Sequence, residues 1–370
     1  MKKNRRAHGG AVAAACVAAF CAQAAVQAQT LITIDVAGAG TAVGQGTQGS
    51  ALNGSGVLAG TYIDASSVHH GFVRAADGTI TPFDAPGAGT LGGQGTDGGS
   101  INDTGTIAGS YIDALGVSHA FLRSSNGKFT VIDAKGAGTG SGQGTLAGQV
   151  NASGVLAGRI VDGSGVHHGY VRSAKGKITL FDVQGAGAGF DQGTLAGGID
   201  TGGAIAGHYV DAVGVTHAFV RAADGTITAF DAPHAGTAPH EGTLAGGIDA
   251  GGTVTGYYVD SAGVYHGFTR SSAGKIKSFD AAGAGQGRQQ GTLAISIDKS
   301  AMIGGSYADS NTVIHGFIRS KNGTITPFDA PGAGTGFTQG TYGGNINDAG
   351  AITGFYVDPA SVFHGYLRTP

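Results

Sequence analysis

Short apolar runs alternate with short turns along almost the whole chain. Within residues 193–231 the runs GTLAGGI, AIAGHYV, VTHAFVR and TITAFD are separated by DTGG, DAVG and AADG. Asp-Gly and Asn-Gly pairs recur at the third turn, as in Asp77-Gly78 and Asn126-Gly127, and such pairs are typical of short β-hairpins. No segment has the apolar spacing of an amphipathic helix. The pattern predicts four short antiparallel strands in each repeat.

The repeat has a constant length of 49 residues, which its histidines mark most clearly. The seven histidines are His70, His119, His168, His217, His266, His315 and His364. An aspartate stands six residues before each of them: Asp64, Asp113, Asp162, Asp211, Asp260, Asp309 and Asp358. A second aspartate ends the fourth run of each repeat, and a Gly-Thr pair opens the first run. A fixed period of this length indicates blades or arrays of one supersecondary unit.

Seven units of four strands favour an all-β fold, a seven-bladed β-propeller of four-stranded antiparallel blades. The repeat register starts with an isolated fourth strand at 31–36 and ends after a third strand at 362–368. We therefore expect the N-terminal strand to complete the last blade and so to close the ring. An open β-solenoid is the alternative, but it needs atypical capping repeats at its ends, and none is apparent in the sequence.

The first 28 residues are predicted to be a signal peptide, and 29–370 a single propeller domain. Lys2, Lys3, Arg5 and Arg6 precede a short apolar stretch and a small-residue cleavage site, which is the usual order in a secretory signal. Both cysteines lie in this segment, and the remainder carries 17 Lys and Arg against 24 acids, a net charge of −7. This balance argues against a nucleic-acid partner. No later stretch is long and apolar enough to span a membrane. Export to the periplasm or the extracellular space, as a monomer, is the expectation.

The repeated histidines and aspartates are interpreted as scaffold. Equivalent positions in neighbouring blades should lie about 10 Å apart, which is too far for several histidines to share one metal ion at bonding distance. Each histidine is expected to pair with the aspartate six residues before it, within its own blade. The aspartates that end strands leave calcium as a candidate cofactor, since calcium prefers oxygen ligands.

Candidate binding residues occur where the repeat is broken. In the fifth long loop, residues 232–243, His234 replaces a glycine and Glu241 replaces a glutamine of the other six copies, and His240 precedes Glu241. These three residues are the candidate metal or acid–base group. The other candidate ligand-binding residues lie in the corresponding loops of other repeats: Phe190, Arg288, Gln290 and Phe337.

The motif HAF, at 119–121 and 217–219, resembles the repeat of bacterial extracellular HAF-type proteins, and so does the surrounding stretch 99–123. Five copies differ by reading HGF or HGY, and arginine stands where an aromatic is usual. The resemblance covers the chain after the signal segment and implies a secreted, β-rich repeat protein. It implies no catalytic residue.

The sequence thus favours a binding or interaction module whose partner is a glycan, a small polar ligand or a protein. Two alternatives stay open. One is a lyase or hydrolase with its site in the loop 232–243, although no nucleophile elbow, zinc motif or phosphate loop is present. The other is a structural protein of the cell surface.

Overall fold

The computed structural model describes residues 30–370, so the predicted signal segment lies entirely outside the described residues. The described chain forms 28 β-strands, arranged as seven units of four. The first strands of the seven units are β2 (Gly46–Leu52), β6 (Gly95–Ile101), β10 (Gly144–Val150), β14 (Gly193–Ile199), β18 (Gly242–Ile248), β22 (Gly291–Ile297) and β26 (Gly340–Ile346). The second strands are β3 (Leu58–Ile63), β7 (Ile107–Ile112), β11 (Leu156–Val161), β15 (Ile205–Val210), β19 (Val254–Val259), β23 (Ile303–Ala308) and β27 (Ile352–Val357). The third strands are β4 (His69–Arg74), β8 (Ser118–Arg123), β12 (His167–Arg172), β16 (Thr216–Arg221), β20 (Tyr265–Arg270), β24 (Ile314–Arg319) and β28 (Phe363–Thr369). The fourth strands are β5 (Ile80–Phe83), β9 (Phe129–Ile132), β13 (Ile178–Phe181), β17 (Ile227–Phe230), β21 (Ile276–Phe279), β25 (Ile325–Phe328) and, for the seventh unit, β1 (Thr30–Ile34).

Consecutive strands within each unit pair antiparallel, and the N-terminal strand β1 lies outermost in the seventh unit, paired with β28. The prediction of four-stranded antiparallel blades in a ring closed by the N-terminal strand is nevertheless wrong. Each third strand also pairs in parallel with the first strand of the following unit, as at His69–Gly95 and Thr216–Gly242. The first three strands of every unit therefore form one closed ring of 21 strands. This ring closes between β2 and β28, at Gly46 and Phe363, while β1 and the other fourth strands branch off it.

The Gly-Thr pair of each repeat is the physical reason for this continuity. The glycine adopts a positive φ, 118° at Gly46 and 111° at Gly95, a region that favours glycine. A Cβ at Gly46 would collide with the backbone carbonyl of Phe363, so only glycine lets the two strands approach. The threonine hydroxyl accepts a hydrogen bond from the backbone at the end of the preceding fourth strand, as in Val36 N to Thr47 Oγ1 at 3.0 Å. Both residues join one unit to the next.

The hydrophobic core lies between neighbouring units. One cluster, for example, combines Ala157 of the third unit with Ile205, Tyr209 and Phe219 of the fourth. The aromatic residue that follows each His-Gly or His-Ala pair is fully buried in all seven units. Arginines at the ends of third strands add contacts between units, since the Arg319 guanidinium lies 4.4 Å from the Phe279 ring of the preceding unit. Residues 30–370 contain no helix that is long and apolar enough to cross a membrane.

A ring of asparagine and aspartate side chains follows the first strands, at one end of the central axis. Each asparagine donates its Nδ2 to the backbone carbonyl of the next unit, for instance Asn102 to Asn151 at 2.9 Å. Four positions of the ring are asparagine and three are aspartate: Asn53, Asn102, Asn151, Asp200, Asp249, Asp298 and Asn347. An aspartate carboxylate cannot make this donation, so the ring of amide hydrogen bonds is interrupted in the fourth, fifth and sixth units.

Candidate functional site

The opposite face of the ring carries the long glycine-rich loops and the turns between second and third strands. Each loop lies between two turns. In the second loop, Gly93 N donates to Ser67 O of the preceding unit and Gln94 Nε2 donates to Ala114 O of its own unit. Above the turn between the second and third strands of each unit lies a space flanked by two loops, the one that precedes this unit and the one that precedes the next unit. We call this space the notch of the unit. Seven equivalent notches therefore surround this face.

The repeated histidines lie within this face, each in contact with aspartates of its own unit. His217 stacks on Tyr209 with the ring centres 4.9 Å apart. Its Nδ1 lies 3.0 Å from Asp231 at the end of the fourth strand, and its Nε2 lies 3.5 Å from Asp211. The expected pairing with the aspartate six residues earlier is thus the longer of the two contacts, because the register places the end of the fourth strand beside the third. Through these contacts His217 links the second, third and fourth strands of its unit.

The notch of the fifth unit contains a cavity of about 230 Å³. It brings together three of the candidate residues, His240, Glu241 and Arg288, although these belong to two different loops. Tyr265, the first residue of β20, lines the same cavity, and its ring meets Tyr257 edge to face at 5.7 Å. Within residues 30–370 the side chains of His240 and Arg288 make no hydrogen bond or ion pair. The cavity therefore offers a cation, a carboxylate, an imidazole and a phenol to a ligand.

Some candidate residues make hydrogen bonds that hold their own loop, and His234 lies outside the fifth cavity. Glu241 Oε2 accepts a hydrogen bond from Ala238 N at 2.9 Å, as the glutamines of the other loops do with Oε1. Gln290 accepts from Gly287 N within the loop and donates to Ser310 O in the turn of the sixth unit, so its amide is already used within the protein. His234 has a φ of 74° and does not line the fifth cavity. Among residues 30–370, no three His, Asp or Glu side chains are arranged to hold a metal ion.

The notch of the third unit is occupied by the chain itself. Phe190, 83% exposed, covers the turn at Gly165, while Asp191 lies 3.0 Å from His167 Nε2. Arg159 and His208 continue this polar group toward the fourth unit. Nδ1 of both His167 and His208, and Nε of Arg159, are buried without a hydrogen-bond partner in the described chain. Burial lowers the pKa of His208 to about 4, so this imidazole is neutral at pH 7.

The notch of the seventh unit contains a larger cavity, of about 430 Å³, with an aromatic lining. Phe337, 72% exposed, is the candidate residue that it contains. Tyr342 stacks on Phe355 at 4.7 Å, and Phe355 meets Phe363 edge to face at 5.5 Å.

Sequence reasoning missed the strand residues of these notches, although a signal for them exists. Three positions in the repeat vary from unit to unit inside otherwise regular strands: the third residue of the first strand, the fourth of the second strand and the first of the third strand. In the fifth unit these are Leu244, Tyr257 and Tyr265, and in the seventh Tyr342, Phe355 and Phe363. They lie inside strands, whereas every ligand-binding residue predicted from the sequence lies in a loop.

No protein family and no curated protein matches the chain. Among solved structures, the BP39L lectin from Burkholderia pseudomallei is similar, with a TM-score of 0.55 and 10% identity over 86% of this chain and 94% of that one. Puromycin hydrolase is similar with a TM-score of 0.54 and 10% identity, covering 86% of this chain but 51% of that one. At such low identity the likeness establishes the fold, which is that of a β-propeller. The resemblance to HAF-type repeat proteins stays a prediction.

Proposed function

We propose that the protein is a carbohydrate-binding module and that its site is the notch of the fifth unit. The observation that carries this proposal is the cavity in which Tyr265, His240, Glu241 and Arg288 meet. Sugar hydroxyl groups both donate and accept hydrogen bonds. Arg288 supplies donors in a fixed fork, Glu241 supplies acceptors, and the tyrosine ring offers an apolar face to the C–H groups of a sugar ring.

Two further observations support it. A binding pocket usually combines an apolar wall with a few convergent polar groups, and this cavity has both. The fold is also shared with a lectin, the BP39L protein. A metal-dependent reaction at His234, His240 and Glu241 has less support, because His234 does not line this cavity.

A glycan array tests the proposal when it is probed with the wild-type chain and with two variants whose new residues already occur in other units. Arg288→Gly introduces the residue found at Gly92, and Tyr265→Ser the residue found at Ser118. We expect the wild type to bind a defined set of glycans and both variants to lose at least tenfold in affinity. Phe190→Gly is the matched control, since Phe190 holds the position of Arg288 in another loop. Absence of glycan binding by the wild type, or equal binding by all four proteins, would refute the proposal.

A further inference from the structure

The seventh notch differs from the fifth in its chemistry as well as its size. Its lining contains no Asp, Glu, Lys, Arg or His. Its polar side chains are Thr338, Gln339, Tyr342 and Ser361, and the other side chains of the lining are aromatic or aliphatic. A charged ligand would lose its hydration there without gaining a partner.

Three of the four polar side chains of this lining are already engaged within the protein. The Tyr342 hydroxyl donates to Thr338 O at 2.7 Å. Gln339 accepts from Gly336 N, and its Nε2 donates to Pro359 O and to Ser361 Oγ, at 3.2 and 3.3 Å. A sugar needs several hydrogen-bond partners to replace the water that it loses, and few are offered here. The chemistry therefore differs from that of a site for a polyhydroxylated ligand.

The aromatic rings are arranged in a way that suits another ring. Stacked and edge-to-face contacts already link Tyr342, Phe355 and Phe363, and these are the geometries that aromatic pairs prefer. Phe337 and Val43 extend from the two flanking loops, 72% and 77% exposed. A cavity of roughly 150 Å³ accommodates benzene, so about 430 Å³ has room for a ring with substituents.

We propose that the notch of the seventh unit is a second binding site, which takes an uncharged aromatic ring such as a phenol. It is separate from the proposed carbohydrate site, and neither proposal depends on the other. The aromatic partner would lie against Phe355 and Phe363 and be covered at the solvent side by Phe337.

Ligand-observed ¹⁹F NMR with 4-fluorophenol tests this site. We expect line broadening with the full chain and at least a tenfold weaker affinity in each of two variants. Phe337→Gly changes only an exposed side chain, so it should fold. Phe355→Ser introduces the residue that stands at the equivalent position of the sixth unit, Ser306. The Ser306 hydroxyl accepts a hydrogen bond from Gly343 N in the first strand of the next unit, so a serine is compatible with the fold at this position. Phe190→Gly is again the matched control and should bind like the wild type.

Two competitors define the ligand class. Cyclohexanol and methyl α-glucoside, added at equal concentration, should displace fluorophenol at least tenfold less well than phenol does. Absence of broadening at millimolar protein and ligand, or equal broadening in wild type and both variants, overturns the proposal. Displacement by methyl α-glucoside as effective as by phenol overturns the aromatic assignment and makes this notch another sugar site.

Discussion

Replacing Asp298 by asparagine should stabilise the protein, because it adds an amide to the interrupted ring at the end of the first strands. In four units the asparagine Nδ2 donates to the carbonyl of the following unit at 2.9–3.2 Å. Asp298 is 4% exposed, and its Oδ2 is buried without a hydrogen-bond partner in the described chain. Its Oδ1 accepts from Ser300 N and Met302 N, and an asparagine Oδ1 keeps both bonds, as Asn53 does.

The expected gain is about 2–3 kcal/mol near pH 7. One new hydrogen bond contributes about 1 kcal/mol, and removing an unpartnered buried oxygen recovers about 1–2 kcal/mol. Burial raises the pKa of Asp298, and the neighbouring carboxylates of Asp348 and Asp249 raise it further. The folded state thus holds this proton more tightly than the unfolded state does. The wild type gains relative stability as the pH falls through the raised pKa, so the advantage of asparagine should shrink in acid.

Urea unfolding followed by circular dichroism, at pH 7 and at pH 4, measures both effects. Asn151→Asp is the reciprocal control: Asn151 donates to Asp200 O at 2.9 Å, and we expect a loss of similar size at pH 7. An unchanged or lower urea midpoint for Asp298→Asn, or a gain that is the same at both pH values, would refute this reasoning.

Three further predictions concern the opposite face and the units beneath it. Glu241→Gln should raise the free energy of unfolding by about 1 kcal/mol, because glutamine adds the amide donor that the other loops direct at a turn carbonyl. A calorimetric melt checks this. The same change should weaken the binding of any glycan that contacts the carboxylate. Burial lowers the pKa of His208 from an ordinary value near 6.5 to about 4. As the pH falls from 6.5 to 4 the unfolded state therefore takes up a proton before the folded state does, and the free energy of unfolding should fall by up to about 3 kcal/mol. His208→Ser should flatten this fall in urea titrations, and an equally steep fall in the variant would contradict the assignment. His217→Ala should cost about 1–3 kcal/mol of unfolding free energy. His168→Ala should cost about 0.5–1.5 kcal/mol less than that, because Ile160 rather than a tyrosine lies opposite His168. Equal losses in urea unfolding would argue against a contribution from ring stacking.

Much of the strand structure could be predicted from the sequence, because each unit is built from local pairings. Short turns set the register of neighbouring strands, and alternating apolar residues select the buried face. The closure of the ring could not be predicted from such local pairings. The parallel bridge between Gly46 and Phe363 joins residues at opposite ends of the chain, and its requirement for glycine becomes visible only when the two backbones lie side by side.

The candidate site was predictable in part. Loss of the repeat pattern pointed to His240, Glu241 and Arg288, which the structure places around one cavity. The same rule also selected His234, which does not line that cavity. Gln290, a candidate that keeps the glutamine of the repeat, does not line it either. A break in a repeat marks where a unit differs from its neighbours, but it does not show which way a side chain points.

The sequence by itself determined the repeating unit: four strands, a histidine between two aspartates, and glycines at the turns. These depend on contacts between residues close along the chain. Only the tertiary structure decided which units face each other, and it therefore decided the contents of each notch. One notch is filled by His167 and Asp191, another combines Arg288 with Tyr265, and a third is lined by Phe337 and Phe355. The paired residues are only 18 to 24 positions apart but lie on different elements, so their chemistry depends on how strand and loop fold together. The third notch also needs the closed ring, which brings Val43 beside Phe337.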